Sequence, residues 1–542
     1  MTEVVDAVVI GAGPNGLACA NHLADAGWSV LVLEAEPSAG GAVASAGYLG
    51  PGFVADVASA FYPLAAVSPA LAGLRLEDHG LRWRRASVVL AHPLPDGRAA
   101  LLYPDRTRTA TGLDRLGAGD GAAWRALCER WDRVGGPLLE AMLGPFPPLR
   151  AGGRLAVTLG PSGLLRLARD LVLPVRRLGE ETFSGPGGRL LLAGCTLHTD
   201  LSPESATGGL FGWVLAMLGQ QVGFPVPEGG AGRLADALVD RLTRRGGRLR
   251  YDSPVGRVLV DGGRATGVVT GTGDIVLARR AVVAAVPATA LYGGLVPWAD
   301  LPDGLRRDLD HFEWDHGTVK VDWALRGPIP WRAPEVAGAG TVHVADDLDE
   351  MTRYSADLAT GRVPARPFLV LGQMTAADPS RAPAGHHVAW AYTHVPRVIR
   401  GDAGPDGITG AWDEADRRAI LARIEARIEA LAPGFGRLIT TRRLLSPDDL
   451  AAHDRSLVGG ALGGGTGALH QQLLFRPAPG LGRPETPLRH LYLASSSAHP
   501  GGGVHGAGGA NAARAARAAE GPLGRLLTGP VVRGAGRLAR GY

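Results

Sequence analysis

The chain has 542 residues, 46% of them hydrophobic and 20% charged, which is enough for a large buried core and too apolar for a disordered protein. Its 56 basic residues nearly cancel its 52 acidic ones, so a formal charge of +4 over this length does not imply a dedicated nucleic-acid surface. Three well-separated cysteines, Cys19, Cys128 and Cys195, exclude a redox dithiol, a zinc site and a disulfide framework.

In chain order, Val4 to Ile10 reads as an apolar strand, Gly11 to Gly16 as a turn and Leu17 to Ala26 as a helix capped by Gly27. Ser29 to Glu34 is a second apolar strand ending in a carboxylate, the order of a parallel, helix-covered sheet. The entry into a strand by Val4 leaves no room for a secretory leader, so a cytoplasmic location is expected, with at most peripheral membrane attachment. Two uncharged stretches, Ser205 to Pro227 and Ala281 to Ala299, are interrupted by Gln220, Gln221 and Pro225 and by Pro287 and a glycine pair. Both read as buried core rather than membrane spans.

Between them, Leu234, Leu238 and Leu242 fall four apart and predict a helix over 232–245. A meander follows, with strands over 255–260, 265–270 and 274–278, then a separate strand over 280–286 closed by Pro287. Ile420, Ile424, Ile428 and Leu431 mark an outer helix over 413–431. Phe312, Trp314, Trp323 and Trp331 are expected to fill core, with the lining of a substrate tunnel as the alternative, and His453 and His470 to be structural. The tail after Glu520 carries four arginines and no acid and reads as a surface tail.

Two glycine clusters carry the chemistry. Gly11-Ala12-Gly13-Pro14-Asn15-Gly16 has Gly-x-Gly-x-x-Gly spacing between a strand and a helix. Gly11 permits the tight turn, Gly13 lets backbone approach a pyrophosphate, Gly16 lets helix and strand pack, and the helix N-terminus holds the anion. Glu34 accepts from ribose hydroxyls and disfavours a 2′-phosphate. The second cluster, Ser495 to Gly506, lies between the strand Leu491 to Leu493 and an alanine-rich helix, and its three consecutive glycines suit backbone laid against a flat ligand. Gly459 to Gly467 is also glycine-rich but is not framed by a strand and a helix, so no bound NAD(P)H is expected.

Together with Gly40-Gly41, the stretch Gly52 to Pro63 and Pro227-Glu228-Gly229-Gly230, these clusters resemble the phytoene desaturase-related FAD-dependent oxidoreductases, which are similar in fold to the flavoprotein amine oxidases. The resemblance covers nearly the whole chain and implies an α/β protein: a Rossmann-type FAD-binding domain with a β-meander, interleaved with an α+β substrate-binding domain. The segments are 1–74, 226–299 and 481–520 for FAD, 75–225 and 300–480 for substrate, and a basic tail over 521–542. It implies extended FAD, with Gly11, Gly13, Pro14, Asn15, Gly16, Glu34 and Ala35 at the ADP half and Gly41 and Ala42 at the pyrophosphate or ribityl region. Val255 would hold adenine through its backbone, and Gly502, Gly503, Val504 and His505 would meet the isoalloxazine edge. Many relatives carry Arg where this chain has Ala42, so a charge contact to the phosphates is missing or supplied elsewhere.

Lys320 is the only lysine in the chain, in a strand-like run, and a position kept as lysine against such arginine bias suits a compact ammonium. In the flavoprotein amine oxidases a lysine in a similar strand holds a water against flavin N5, so the resemblance implies that role for Lys320. The expected activity is hydride removal from a largely apolar, isoprenoid or carotenoid-like molecule, or a redox-neutral isomerisation, with electrons leaving to oxygen, a quinone or another diffusible acceptor. The alternatives are a flavin-dependent amine oxidase and a non-enzymatic flavin-binding adaptor.

Overall fold

The strand Thr2–Ile10 ends in a run, Ala7 to Ile10, that is almost wholly removed from solvent, as expected for a central strand covered on both faces. A computed structural model describes residues 2–521, and the basic tail lies outside them from residue 522. Thr2–Ile10 pairs in parallel with Val30–Leu33 on one side and Ile275–Ala284 on the other. The first sheet runs Val255–Asp261, Arg264–Thr270, Ile275–Ala284, Thr2–Ile10, Val30–Leu33 and Arg248–Arg250, and Leu491–Leu493 joins in parallel at the end of Ile275–Ala284.

The two strands expected over 274–278 and 280–286 are in fact one. Arg279 and Arg280, which look like a break in the sequence, form a bulge opposite Asp6: the register passes from Val5–Ala278 directly to Ala7–Ala281. Asp6 answers both guanidiniums, at 3.7 Å and 3.5 Å, so the charged pair is accommodated at the bulge without ending the strand.

The helix Pro14–Asp25 packs beside Gly232–Arg244 and Ala507–Glu520. Its approach to the last of these is at backbone contact, since a Cβ on Gly509 would stand 1.9 Å from the Asn15 carbonyl oxygen. The N-termini of these two helices therefore end side by side.

The second sheet has the order Ile439–Leu445, Gly317–Leu325, His387–Val395, Leu369–Gln373, Ala339–Val344, Val88–Pro93 and Ala99–Leu102, antiparallel except between Ala339–Val344 and Val88–Pro93. One face is covered by Glu414–Leu431, whose Ile420, Ile424, Ile428 and Leu431 join Val319, Val321 and Trp323 in one cluster. Helices including Asp120–Leu143, Pro186–Thr196 and Gly208–Val222, with the segment Leu149–Val172 that breaks into two helices at Gly160, build the core on the other face. The Trp323 and Trp331 indoles donate to Glu425 and Gln373, which places both in core. The stretch 205–227 holds the largely buried helix Gly208–Val222, and no helix among the described residues is long and apolar enough to cross a membrane.

Candidate active site

The first glycine turn is shaped by three different demands. Gly11 has φ +95°, a conformation side chains resist, and a Cβ on Gly16 would lie 2.0 Å from the Gly11 carbonyl oxygen. Gly13 differs, because a Cβ there would meet no protein atom within 4 Å. That free space opens on a cleft of about 290 Å³ lined by Gly13, Pro14, Asn15, Gly16, Ala42, Ser495 to Ser497, Gly503 and Val504. The Asn15 side-chain oxygen is buried beside it without a hydrogen-bond partner. Two helix N-termini, at Pro14 and Ala507, bring partial positive charge to the same region.

Glu34 closes the strand Val30–Leu33 and folds its carboxylate back on the turn. It accepts from the Ala12 N–H at 2.6 Å and from the Glu36 N–H at 3.0 Å, which leaves lone pairs on both oxygens. Ala35 follows, half-buried. Val255 opens the meander two residues after Ser253, whose N–H donates to the Glu34 carbonyl at 2.8 Å. Gly41 has φ +53°, and a Cβ on it would stand 2.9 Å from Asp454 Oδ2 and 3.6 Å from Gly13 Cα. Next to Asp454, Arg455 approaches Glu36 at 3.6 Å, so a cation is present near this end of the cleft although Ala42 supplies none. Free backbone approach at Gly13, an unpartnered amide oxygen, paired helix N-termini and a carboxylate with spare lone pairs form a cradle that fits FAD.

The second glycine cluster is held by the segment that has no strand or helix to frame it. A Cβ on Gly502 would lie 2.5 Å from the Gly463 carbonyl oxygen, and one on Gly464 would lie 2.1 Å from Ser496 Oγ. Arg476, fully buried, donates to the carbonyls of Thr466, Gly464 and Ser496 and fastens the two segments together. Burial pulls its guanidinium down to about 10. Asp315 accepts from the Gly463 and Gly465 N–H groups at 2.7 and 2.9 Å, and burial pushes its carboxyl up to about 6 despite them. His505 accepts the Ala507 N–H on Nδ1 at 3.0 Å, a helix-capping imidazole whose burial lowers it to about 4.

A second cavity of about 350 Å³ shares part of its lining with this cleft. Phe61, His198, Tyr392, Leu462, Gly503 and Val504 line both. Away from that junction the wall is apolar, with Leu64, Met142, Leu143, Phe211, Leu215 and Leu218, while Asp200, Asp315, His394, Gln472 and Arg476 make a polar quarter. His198 Nε2 shares a 2.8 Å hydrogen bond with His343 Nε2, and burial lowers His198 to about 4. None of these lining residues except Gly502, Gly503, Val504 and His505 was singled out from sequence as a site residue.

Lys320 is buried in Gly317–Leu325, its ammonium 2.5 Å from both Asp322 oxygens, and Tyr48 donates to the same carboxylate at 2.9 Å. Burial raises the Asp322 pKa against the pull of Lys320. Lys320 lines neither the cleft nor the cavity, but its Nζ lies 5.8 Å from the ring of Trp390, which lines the cleft.

Residues 15–518 match the model of the flavin containing amine oxidoreductase family. A rat protein described as pyridine nucleotide-disulfide oxidoreductase domain-containing protein 2 is 30% identical over 93% of this chain and 91% of its own length. Phytoene dehydrogenase of Streptomyces griseus is 28% identical over 82% of each chain. Among solved structures, wild-type putrescine oxidase bound to putrescine superposes with a TM-score of 0.59 at 19% identity, over 95% of this chain and 99% of that one.

Proposed function

Because the chain belongs to the flavin-containing amine oxidoreductase family, we propose that it removes hydride from a carbon of a largely apolar small molecule held in the cavity beside the glycine-lined cleft. Its cofactor is FAD and its chemistry oxidoreduction. The observation that carries the reading is the junction, where six residues line both spaces, so a molecule in the cavity and the occupant of the cleft meet the same side chains. In this reading the cleft belongs to a Rossmann-type FAD-binding domain built on the first sheet, and the apolar walls come from a substrate-binding domain built on the second.

Bound FAD would supply a hydride-accepting ring. The protein's own residues do the rest. Gly11 to Gly16, Glu34, Ala35, Gly41, Ala42 and Val255 are proposed to hold the dinucleotide, and Gly502 to His505 the ring edge. Leu64, Met142, Phe211 and Leu218 exclude water and align the substrate's apolar body, while His198, as a neutral imidazole, offers one hydrogen bond at the junction. Lys320 is proposed to orient a water beside the ring and to move a proton, with Asp322 and Tyr48 fixing its position. The electron acceptor is a diffusible molecule such as oxygen or a quinone. The isoprenoid class is suggested by the relative named phytoene dehydrogenase.

Oxidation of an amine is the second reading. It is favoured by the carboxylates of Asp200 and Asp315 in the cavity's polar quarter and by Phe61, Trp390 and Tyr392 along the cleft. The purified protein is expected to be yellow, to release FAD rather than FMN on denaturation, and to lose its oxidised flavin absorbance when mixed anaerobically with an isoprenoid. FMN alone would overturn the cofactor assignment. Bleaching by amines only would select the second reading, and bleaching by no compound would select an adaptor.

A further inference from the structure

Three histidines stand together at the junction of cleft and cavity. His343, on Ala339–Val344, is fully buried, and its Nε2 lies 2.8 Å from Nε2 of His198. His92, on the neighbouring strand Val88–Pro93, is equally buried, with its ring centroid 6.5 Å from that of His343. Burial lowers His198 and His92 to about 4, and burial, with His198 and His92 alongside, lowers His343 well below the usual imidazole range. All three rings are therefore neutral near neutral pH, each with one hydrogen and one lone pair, and a single hydrogen lies between His198 and His343.

The surroundings of His343 decide which ring donates that hydrogen. Its Nδ1 is enclosed without a hydrogen-bond partner. Gly194 closes on it from the helix Pro186–Thr196: a Cβ there would stand 2.0 Å from Nδ1 and 2.8 Å from both Cγ and Cε1, so the Gly194 Cα hydrogen in that direction is turned on Nδ1. A second hydrogen on Nδ1 would clash with it, whereas a lone pair receives it as a weak C–H contact. His343 therefore carries its hydrogen on Nε2 and donates to His198. His92 is in the same state, since its Nε2 faces the Ala345 carbonyl at 2.8 Å, which only accepts, and its Nδ1 is likewise enclosed without a partner. With Nε2 of His198 taken up as an acceptor, the hydrogen of that ring is on Nδ1. His198 is half-buried, its Nδ1 has no protein partner among the described residues, and the residue lines both the cleft and the cavity.

We propose that His198, held in this tautomer by His343, donates from Nδ1 to an oxygen of the molecule in the cavity, and that the site takes an apolar carbonyl compound. A carbonyl oxygen offers lone pairs and has no hydrogen to lose. A hydroxyl group fits less well, because oxidation of its carbon requires a base for the hydroxyl proton, and Nδ1 has no lone pair with which to take it. A protonated amine has only donors, so Nδ1–H opposes it. A hydrocarbon without oxygen would leave the donor unpaired in a largely apolar wall, which weakens binding. His343 is a positioning residue, since it acts through His198. The inference rests on the apolar-substrate reading of the cavity and adds the oxygen to it.

The test uses the full chain with bound FAD and reads binding from the change in oxidised-flavin absorbance during anaerobic titration. Geranylacetone is compared with the same skeleton bearing a methylene group in place of the carbonyl oxygen, and with geranylamine. The ketone is expected to bind at least about fivefold more tightly than either, a comparison that needs no variant. His198→Phe should bring the ketone and the methylene compound within about twofold of each other, and His343→Leu, which frees His198 to hold its hydrogen on either nitrogen, should lower the preference at least about twofold with the affinity for the methylene compound unchanged. His198→Asn, whose amide nitrogen takes the place of Nδ1, should keep the preference. Equal affinity for ketone and methylene compound, tighter binding of geranylamine, or a preference that survives in His198→Phe would overturn the proposal and leave the apolar cavity standing. A ligand-free flavin spectrum shifted in His198→Phe but not in His198→Asn would also overturn it, by directing the donor to the ring. Binding of none of the three probes would overturn the apolar-substrate reading together with the proposal.

Discussion

Arg381→Met would strip the cation from a network closed to solvent. Arg381 and Asp56 are both at 0% exposure, and the guanidinium donates to Asp56 at 2.9 Å, to Asp378 at 3.0 Å and to the Pro227 carbonyl at 3.2 Å. The two carboxylates would fare differently after its loss. Asp378 keeps the Gly229 and Ser380 N–H groups and the Ser380 hydroxyl; burial raises its pKa, but these bonds and Arg381 outweigh burial and hold it below the usual carboxylate range. Asp56 keeps the Ala231 N–H and the Ser45 hydroxyl on one oxygen, and its other oxygen already has no partner. The variant thus leaves Asp56 as a buried charge without a counterion, a loss of about 3–5 kcal/mol. At about 2.1 cal/mol/K per residue, the 520 described residues give an unfolding entropy near 1.1 kcal/mol/K, so the melting temperature should fall by roughly 3–5 °C. Release of flavin fluorescence during a scan at fixed rate reads this, and adding Asp56→Asn should recover about half of the loss. A single variant that melts within about 1 °C of the parent would refute the reasoning.

Three further outcomes are expected. Gly13→Val should abolish FAD binding while the apoprotein still folds, because a Cβ there meets no protein atom; Gly16→Ala should impair folding itself, because its Cβ would stand 2.0 Å from the Gly11 carbonyl oxygen. Flavin content and circular dichroism separate the two, and full flavin occupancy in Gly13→Val would show that the cleft is misassigned. Lys320→Met should retain FAD but slow flavin reduction or reoxidation at least about tenfold in stopped-flow traces, and unchanged rates in both half-reactions would remove it from the site. Burial lowers His92, His394 and His505 to about 4, 3 and 4 and His343 well below 6.5, so the unfolded chain binds protons that the native one does not. Their stabilisation is complete above about pH 6.5 and is lost as pH falls toward about 4, at a slope of up to about 5 kcal/mol per pH unit for four sites. A melting temperature that stays flat from pH 7 to pH 5 would contradict this.

What the sequence discloses and what it hides follow from distance along the chain. The turn at Gly11 to Gly16 is legible because its constraints, a positive φ and a helix pressed on a strand, lie within six residues. The junction is not, because Phe61, His198, Tyr392, Leu462 and Gly503 come from five separated segments that only the fold brings together. Periodicity fails at Gly317–Leu325, where every residue is buried and alternation says nothing about which way Lys320 points. The split expected at Arg279-Arg280 is a failure of another kind, since a charged pair reads as a strand end unless the Asp6 that answers it is known. The loop Gly459 to Gly467 has no strand or helix to advertise it, and its shape comes from carbonyls gathered by Arg476, ten residues or more away.

The shared wall between cleft and cavity also ties two equilibria together. In the proposed arrangement, occupants on either side would meet the same Phe61, His198 and Tyr392 side chains, so any preference of one for a particular arrangement of those rings would be felt by the other. Linkage then requires the exchange to be mutual: whatever factor a cavity ligand gains from a filled cleft, dinucleotide retention gains from a filled cavity. On that arrangement, a molecule that does not react at all would govern how tightly the protein keeps its cofactor.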